Sequence, residues 1–115
     1  MAITEAFQAS ATIGTTEYFL AAASTTPSYQ TTDGCYQLFV ELNNMADGDT
    51  FRLRAYEKIS SAGTARVVWE EHFGGVQNSP LWPTPTLILL HGWDFSITKI
   101  AGTDRSIAWS IRKVG

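Results

Sequence analysis

Residues Cys35–Ile59 read CYQLFVELNNMADGDTFRLRAYEKI, and the spacing of their apolar side chains decides the fold. Tyr36, Leu38, Val40 and Leu42 recur at every second position, as do Phe51, Leu53 and Ala55, with Ile59 on the same face after Glu57. Arg52, Arg54, Tyr56 and Lys58 take the alternate positions of the second run. A period of two places alternate side chains on opposite faces of a β-strand, whereas a helix needs a period of 3.6. Between the runs, Asn43–Asp49 carries Asp47-Gly48, a dipeptide suited to turns.

Working outward, turn chemistry recurs at Ile13-Gly14-Thr15, Thr26-Pro27-Ser28, Thr32-Asp33-Gly34, Ser60–Gly63, Gly74-Gly75 and Ala101–Asp104. The segments between are short and rich in β-branched and aromatic residues, and no helical pattern is sustained. Cys35–Asn43, Thr50–Ile59 and Thr64–Phe73 are expected to form a meander. Trp93–Ile100 is expected to form a hairpin with Arg105–Lys113 through Ala101–Asp104, where Gly102 can supply a positive φ. Ile3–Ile13 and Glu17–Ala23 add one or two more strands. The sum is an all-β chain, a single antiparallel β-sandwich of about seven or eight strands, jelly-roll or immunoglobulin-like, spanning residues 1–115. The expected core is Phe51, Leu53, Val67, Trp69, Phe95, Ile97, Ile107, Trp109 and Ile111.

Two segments fit this scheme least. Residues 1–10 are terminal and are expected to act as a partner-contacting arm. Gly74–Pro85 holds Pro80, Pro83 and Pro85, which lack the N–H that a ladder needs, so an irregular, stiff loop is expected there. Ile3 and Phe7 in the arm, and Leu81, Trp82 and Pro83 in the loop, are the candidate contact residues. Trp82 either tucks over the sandwich edge or is presented to a partner.

Composition narrows the function. The chain is 44% hydrophobic and 17% charged, enough for a core and poorer in charge than the usual quarter or so of a soluble domain. Its charge is lopsided: the residues before Arg52 contain no Lys or Arg and carry −6, and the remainder carries +3. No basic patch of the size nucleic acid requires can be assembled, so no nucleic-acid partner is expected. The asymmetry is compatible with head-to-tail attraction between copies. Cys35 is the one cysteine, which excludes an internal disulfide and suits a reducing compartment. MAITEAFQAS has no basic n-region, so a secretory signal is not expected, and the apolar runs are too short to span a bilayer as a helix, so no membrane is expected either.

LILLHGWDF, Leu87–Phe95, invites an enzyme reading, because an aliphatic strand ending in His-Gly-Trp is how many α/β-hydrolases deliver an oxyanion-hole loop. The chain is short for that fold and lacks the G-x-S-x-G elbow, so Leu87–Leu90 is expected to be a buried strand ended by a turn at His91-Gly92. Metal ligation is not expected from His72, His91 and Cys35, which are isolated. Glu70 and His72 share one strand face and are expected to pair with Arg52 and Arg54 across a hairpin. No glycine motif for phosphate is present, so no cofactor is expected. Trp69, Trp93 and Trp109 occupy strand positions that suit a core, although four tryptophans also invite a sugar-stacking reading.

TTDGCYQLFVELNNMADGDTFRLRAYEK, LILLHGWDFSI and AGTDRSIAWSIRK together resemble a group of small structural proteins of tailed bacteriophages. The resemblance runs over most of the chain from Thr31 onward. It implies a capsid decoration, or cement, protein: a β-sandwich made in the host bacterial cytoplasm that assembles as a dimer or trimer on the virion surface. It implies no enzyme activity and carries over no site residues. Its implied partners are the major capsid protein and other copies of itself. The expected function is therefore non-enzymatic binding to the capsid exterior that stabilises the shell. A phage neck or tail subunit, and a carbohydrate-binding module with two or more exposed aromatics on one face, are the alternatives.

Overall fold

A computed structural model describes residues 2–115 as two antiparallel sheets packed face to face. Nine strands follow in chain order: β1 Ile3–Ile13, β2 Tyr18–Phe19, β3 Gly34–Glu41, β4 Thr50–Glu57, β5 Arg66–Gly74, β6 Leu81–Pro83, β7 Leu87–Leu89, β8 Asp94–Ala101 and β9 Arg105–Val114. One sheet runs β1-β9-β3-β6, with β7 also paired to β3, and the other runs β2-β8-β4-β5.

This order has a simple generator. β1 pairs with β9, β2 with β8, β3 with β6 and β7, and β4 with β5, all antiparallel. The chain is thus one long hairpin, folded at Ser60–Gly63 and rolled up so that its arms pair from the tip to the ends. That is a jelly roll, and it selects between the two sandwich types the sequence allowed.

The rolled topology corrects two expected pairings. β3 and β4 do not belong to one meander: β3 lies in the first sheet and β4 in the second, and among the described residues only β4–β5 is a true hairpin. The loop between β3 and β4 crosses the end of the sandwich, burying Leu42 and Met45 on the way. Likewise β8 and β9 do not pair; Ala101–Asp104 carries the chain from one sheet to the other. The inward set was nevertheless right, because Phe95 and Ile97 of β8 and Ile107, Trp109 and Ile111 of β9 are all buried, approaching from opposite sheets.

The prolines are accommodated rather than excluded, which corrects the expected loop. β6 and β7 lie end to end along the same edge of β3, pairing with Phe39–Glu41 and Gly34–Tyr36 respectively. They are one edge strand with a break at Thr84–Thr86. In the break the Leu38 carbonyl accepts the Thr84 N–H at 2.8 Å, and the Leu38 N–H donates to Thr84 Oγ1 at 3.0 Å. A side-chain hydroxyl thus replaces the missing rung, and Pro83 and Pro85 sit where an edge strand needs no donor.

The core joins Tyr36, Leu38, Val40, Phe51, Leu53, Trp93, Phe95, Ile97, Ile107, Trp109 and Ile111. Two expected core residues depart from it. Val67 is exposed, because a bulge between Ala55 and Tyr56 in the β4–β5 ladder shifts the register of β5. Trp69 lies before that shift and is half-buried on the rim. The segment Leu87–Leu90, expected to be buried, instead alternates: Leu89 is buried and Ile88 and Leu90 are exposed, as befits an edge.

Candidate functional site

The His-Gly-Trp turn forms an anion-binding loop that the chain fills itself. The N–H groups of His91 and Gly92 donate to Glu57 Oε1 at 3.2 and 3.0 Å, Lys58 N–H does so at 2.9 Å, and Leu90 N–H donates to Oε2. Burial raises the Glu57 pKa, and the four backbone donors outweigh it and hold the group below the usual glutamate range. The donors that could have stabilised an oxyanion are occupied by a carboxylate at the end of β4.

Other carboxylates are used in the same way. Asp49, buried, accepts from Ala46 N–H at 2.9 Å, Thr103 N–H at 3.0 Å and Arg105 Nε at 2.7 Å, tying the β3–β4 crossing to the β8–β9 crossing. The Arg105 bond and the two amide bonds lower its pKa to about 2. Asp94, fully buried, accepts from Ala21 at 2.8 Å, Ala22 at 3.1 Å and its neighbour Phe95 at 2.7 Å, fixing the turn after β2. Desolvation raises its pKa to about 6 despite those donors. Glu17 accepts from Tyr56 Oη at 2.5 Å and from Ser96 Oγ, and Glu5 accepts from Ser110 Oγ. A group with a shifted pKa is a catalytic candidate where it opens on a cleft; Asp49 and Asp94 face loop amides inside the fold.

The expected ladder on the outer face of the second sheet forms in part: Arg54 pairs with Glu70, whereas among the described residues Arg52 makes no ion pair with His72 and its Nε is buried without a hydrogen-bond partner. Arg52 lies opposite His72 and Arg54 opposite Glu70; Arg54 Nε contacts Glu70 at 2.5 Å, and His72 Nε2 lies 3.1 Å from the other Glu70 oxygen. Of these partly exposed contacts only Arg54–Glu70 crosses from β4 to β5, and solvent screening leaves it a minor support for the hairpin. Among the described residues, no group of three His, Cys, Asp or Glu is placed to hold a metal ion.

The five candidate contact residues fall into two groups at opposite edges of the first sheet. Leu81 is 54% exposed and Pro83 is exposed on β6; Ile3 is 69% exposed on β1. Trp82 and Phe7 turn inward. Trp82 stacks on Trp69 with ring centres 5.4 Å apart and meets Phe73 edge-on at 4.9 Å, closing the gap between the sheets at the β5–β6 side. Phe7 meets the edge of Trp93 at 6.1 Å. The arm expected over residues 1–10 is the first part of a strand paired along β9, from Ile3 opposite Val114; Met1 lies outside the described residues.

Sequence reasoning missed Ile88 and Leu90, which extend the apolar margin beyond Leu81 along the broken edge strand. The signal was Ile88 and Leu90 themselves, hidden inside an unbroken aliphatic run. An apolar hollow of about 300 Å³ lies at the tip of the β4–β5 hairpin, beside Ile59 and Val68. On the outer face of the first sheet, a shallow groove of about 220 Å³ is lined by Glu5, Phe39, Glu41, Leu81 and Arg112, with the Arg112 guanidinium 4.0 Å over the Phe39 ring. None of the exposed large apolar side chains is aromatic among the described residues.

No family model, no curated protein and no solved structure matches the chain.

Proposed function

We propose that this chain is a non-enzymatic virion structural protein that binds the outside of a capsid and stabilises the shell as a decoration protein. The observation that carries the reading is the aliphatic margin of the first sheet, Leu81, Ile88 and Leu90, set on an edge stiffened by Pro83 and Pro85. A margin of this kind loses little conformational entropy on docking and removes apolar area from water at about 25 cal/mol per Å². Repetition over a symmetric shell makes modest contacts sufficient. The jelly roll serves capsid proteins, lectins and cupins alike, so the fold leaves the choice to the surface. Sugar stacking draws no support from a surface whose large apolar groups are aliphatic.

The test is incorporation into particles. Leu81→Asp combined with Ile88→Asp is expected to abolish decoration while leaving the melting temperature of the isolated domain within a few degrees. Wild-type occupancy by that variant rejects the proposed surface. Electron microscopy of the particles then separates a capsid-face location from a ring at the neck or tail.

A further inference from the structure

The four sheet edges of this sandwich are unequal. The β6–β7 edge is broken at Thr84–Thr86 and carries two prolines, β2 is two residues long, and β5 is bulged and bears Arg66, Glu70, Glu71 and His72. Each of these resists the addition of another strand. β1 is different. It runs eleven residues, its only partner among the described residues is β9, and past a bulge between Glu5 and Phe7 it continues regularly from Phe7 to Ile13. That stretch, FQASATI, holds no charge, proline or glycine. A regular, uncharged edge of about six or seven residues is a template for strand pairing.

We infer that β1 pairs antiparallel with β1 of a second copy across a two-fold axis at Ser10, making one continuous sheet through a dimer. The segment is complementary to itself in that register. Ser10 meets Ser10, Gln8 meets Thr12, and these side chains are the exposed ones of the stretch. On the inward side Phe7 meets Ile13 and Ala9 meets Ala11, so apolar faces apolar along the whole rung set. The one charged residue of β1, Glu5, lies beyond the bulge. In this register the two Glu5 residues stand ten positions apart along the strands, about 34 Å, far outside the screening length of physiological salt. A two-fold contact of this kind closes on itself and leaves the Leu81–Leu90 margins of both copies free. The inference stands independently of the capsid reading.

Sedimentation of the isolated chain over a concentration series tests it. The wild type is expected to show a monomer–dimer equilibrium, and Ser10→Lys, which places two ammonium groups opposite each other, is expected to weaken dimerisation about tenfold or more. Leu81→Asp, at the other edge, is expected to leave the equilibrium unchanged, and circular dichroism confirms that both variants are folded. A wild type that remains monomeric up to millimolar concentration overturns the inference, as does a dimer that Ser10→Lys leaves intact or Leu81→Asp disrupts. If the chain alone is monomeric and Ser10→Lys abolishes particle binding, the edge serves a capsid strand and the second copy is rejected.

Discussion

Asp94 and Asp49 give the fold opposite responses to acid. The folded-state pKa of Asp94 is raised to about 6, so between there and the unfolded value near 3.8 the folded chain holds the proton more tightly. Stability therefore rises as pH falls through that window, by up to about 3 kcal/mol. Asp49 is lowered to about 2; its contribution is full above 3.8 and is lost as pH falls toward 2. Glu57 and Glu70, also lowered, act in the same sense as Asp49. The melting temperature is expected to peak between about pH 4 and 5 and decline on both sides, and in Asp94→Asn the decline above the peak is expected to flatten. Gly102 illustrates a steric demand: it adopts φ +93°, and a Cβ there would stand 2.6 Å from the Asp49 Cα. Gly102→Ala is expected to lower stability by about 3 kcal/mol or more in a denaturant titration, because strain and clash add.

Thr84 shows how a single hydroxyl lets an edge strand tolerate proline. Thr84→Val leaves the buried Leu38 N–H without an acceptor and is expected to cost about 1–3 kcal/mol, whereas Thr84→Ser retains most of the bond. Hydrogen exchange at Leu38 would report the loss directly. The role of Thr84 was not legible in the sequence, since proline signals only the absence of a donor and not the presence of a substitute. Alternation did reveal β3, β4 and the inward sides of β8 and β9, because one buried face imposes period two on each strand separately. It did not reveal which strands pair. Cys35–Glu41 and Thr50–Glu57 have the same pattern whether they are neighbours in one sheet or face each other across two, and the turn Asp47-Gly48 suits either path. The bulge that exposes Val67 left no residue signature, so the register of β5 was invisible as well. Trp82 was legible as an anchor, but the orientation that sends it onto Trp69 depends on the pairing of β6 with β3.

As a whole the molecule is held by pairings between its two halves, and among the described strands only β4 and β5 are both consecutive in the chain and paired. Most rungs must close long loops before they form, so refolding is expected in milliseconds to seconds, read by stopped-flow tryptophan fluorescence. Trp109 lies at the centre, under Tyr18 with ring centres 5.6 Å apart, and Trp109→Ala is expected to cost about 3–5 kcal/mol in thermal or chemical unfolding. Ile3 lies opposite Val114, and the Gly115 N–H donates to the Ala2 carbonyl at 2.9 Å, so the two ends of the rolled hairpin sit side by side. That adjacency governs how the sandwich yields to tension. A pull on its two ends opens the β1–β9 ladder rung by rung, like a zipper, and each rung gives way alone. A pull between the β1 edge and the Leu81–Leu90 edge loads all rungs of a ladder at once, and several must fail together.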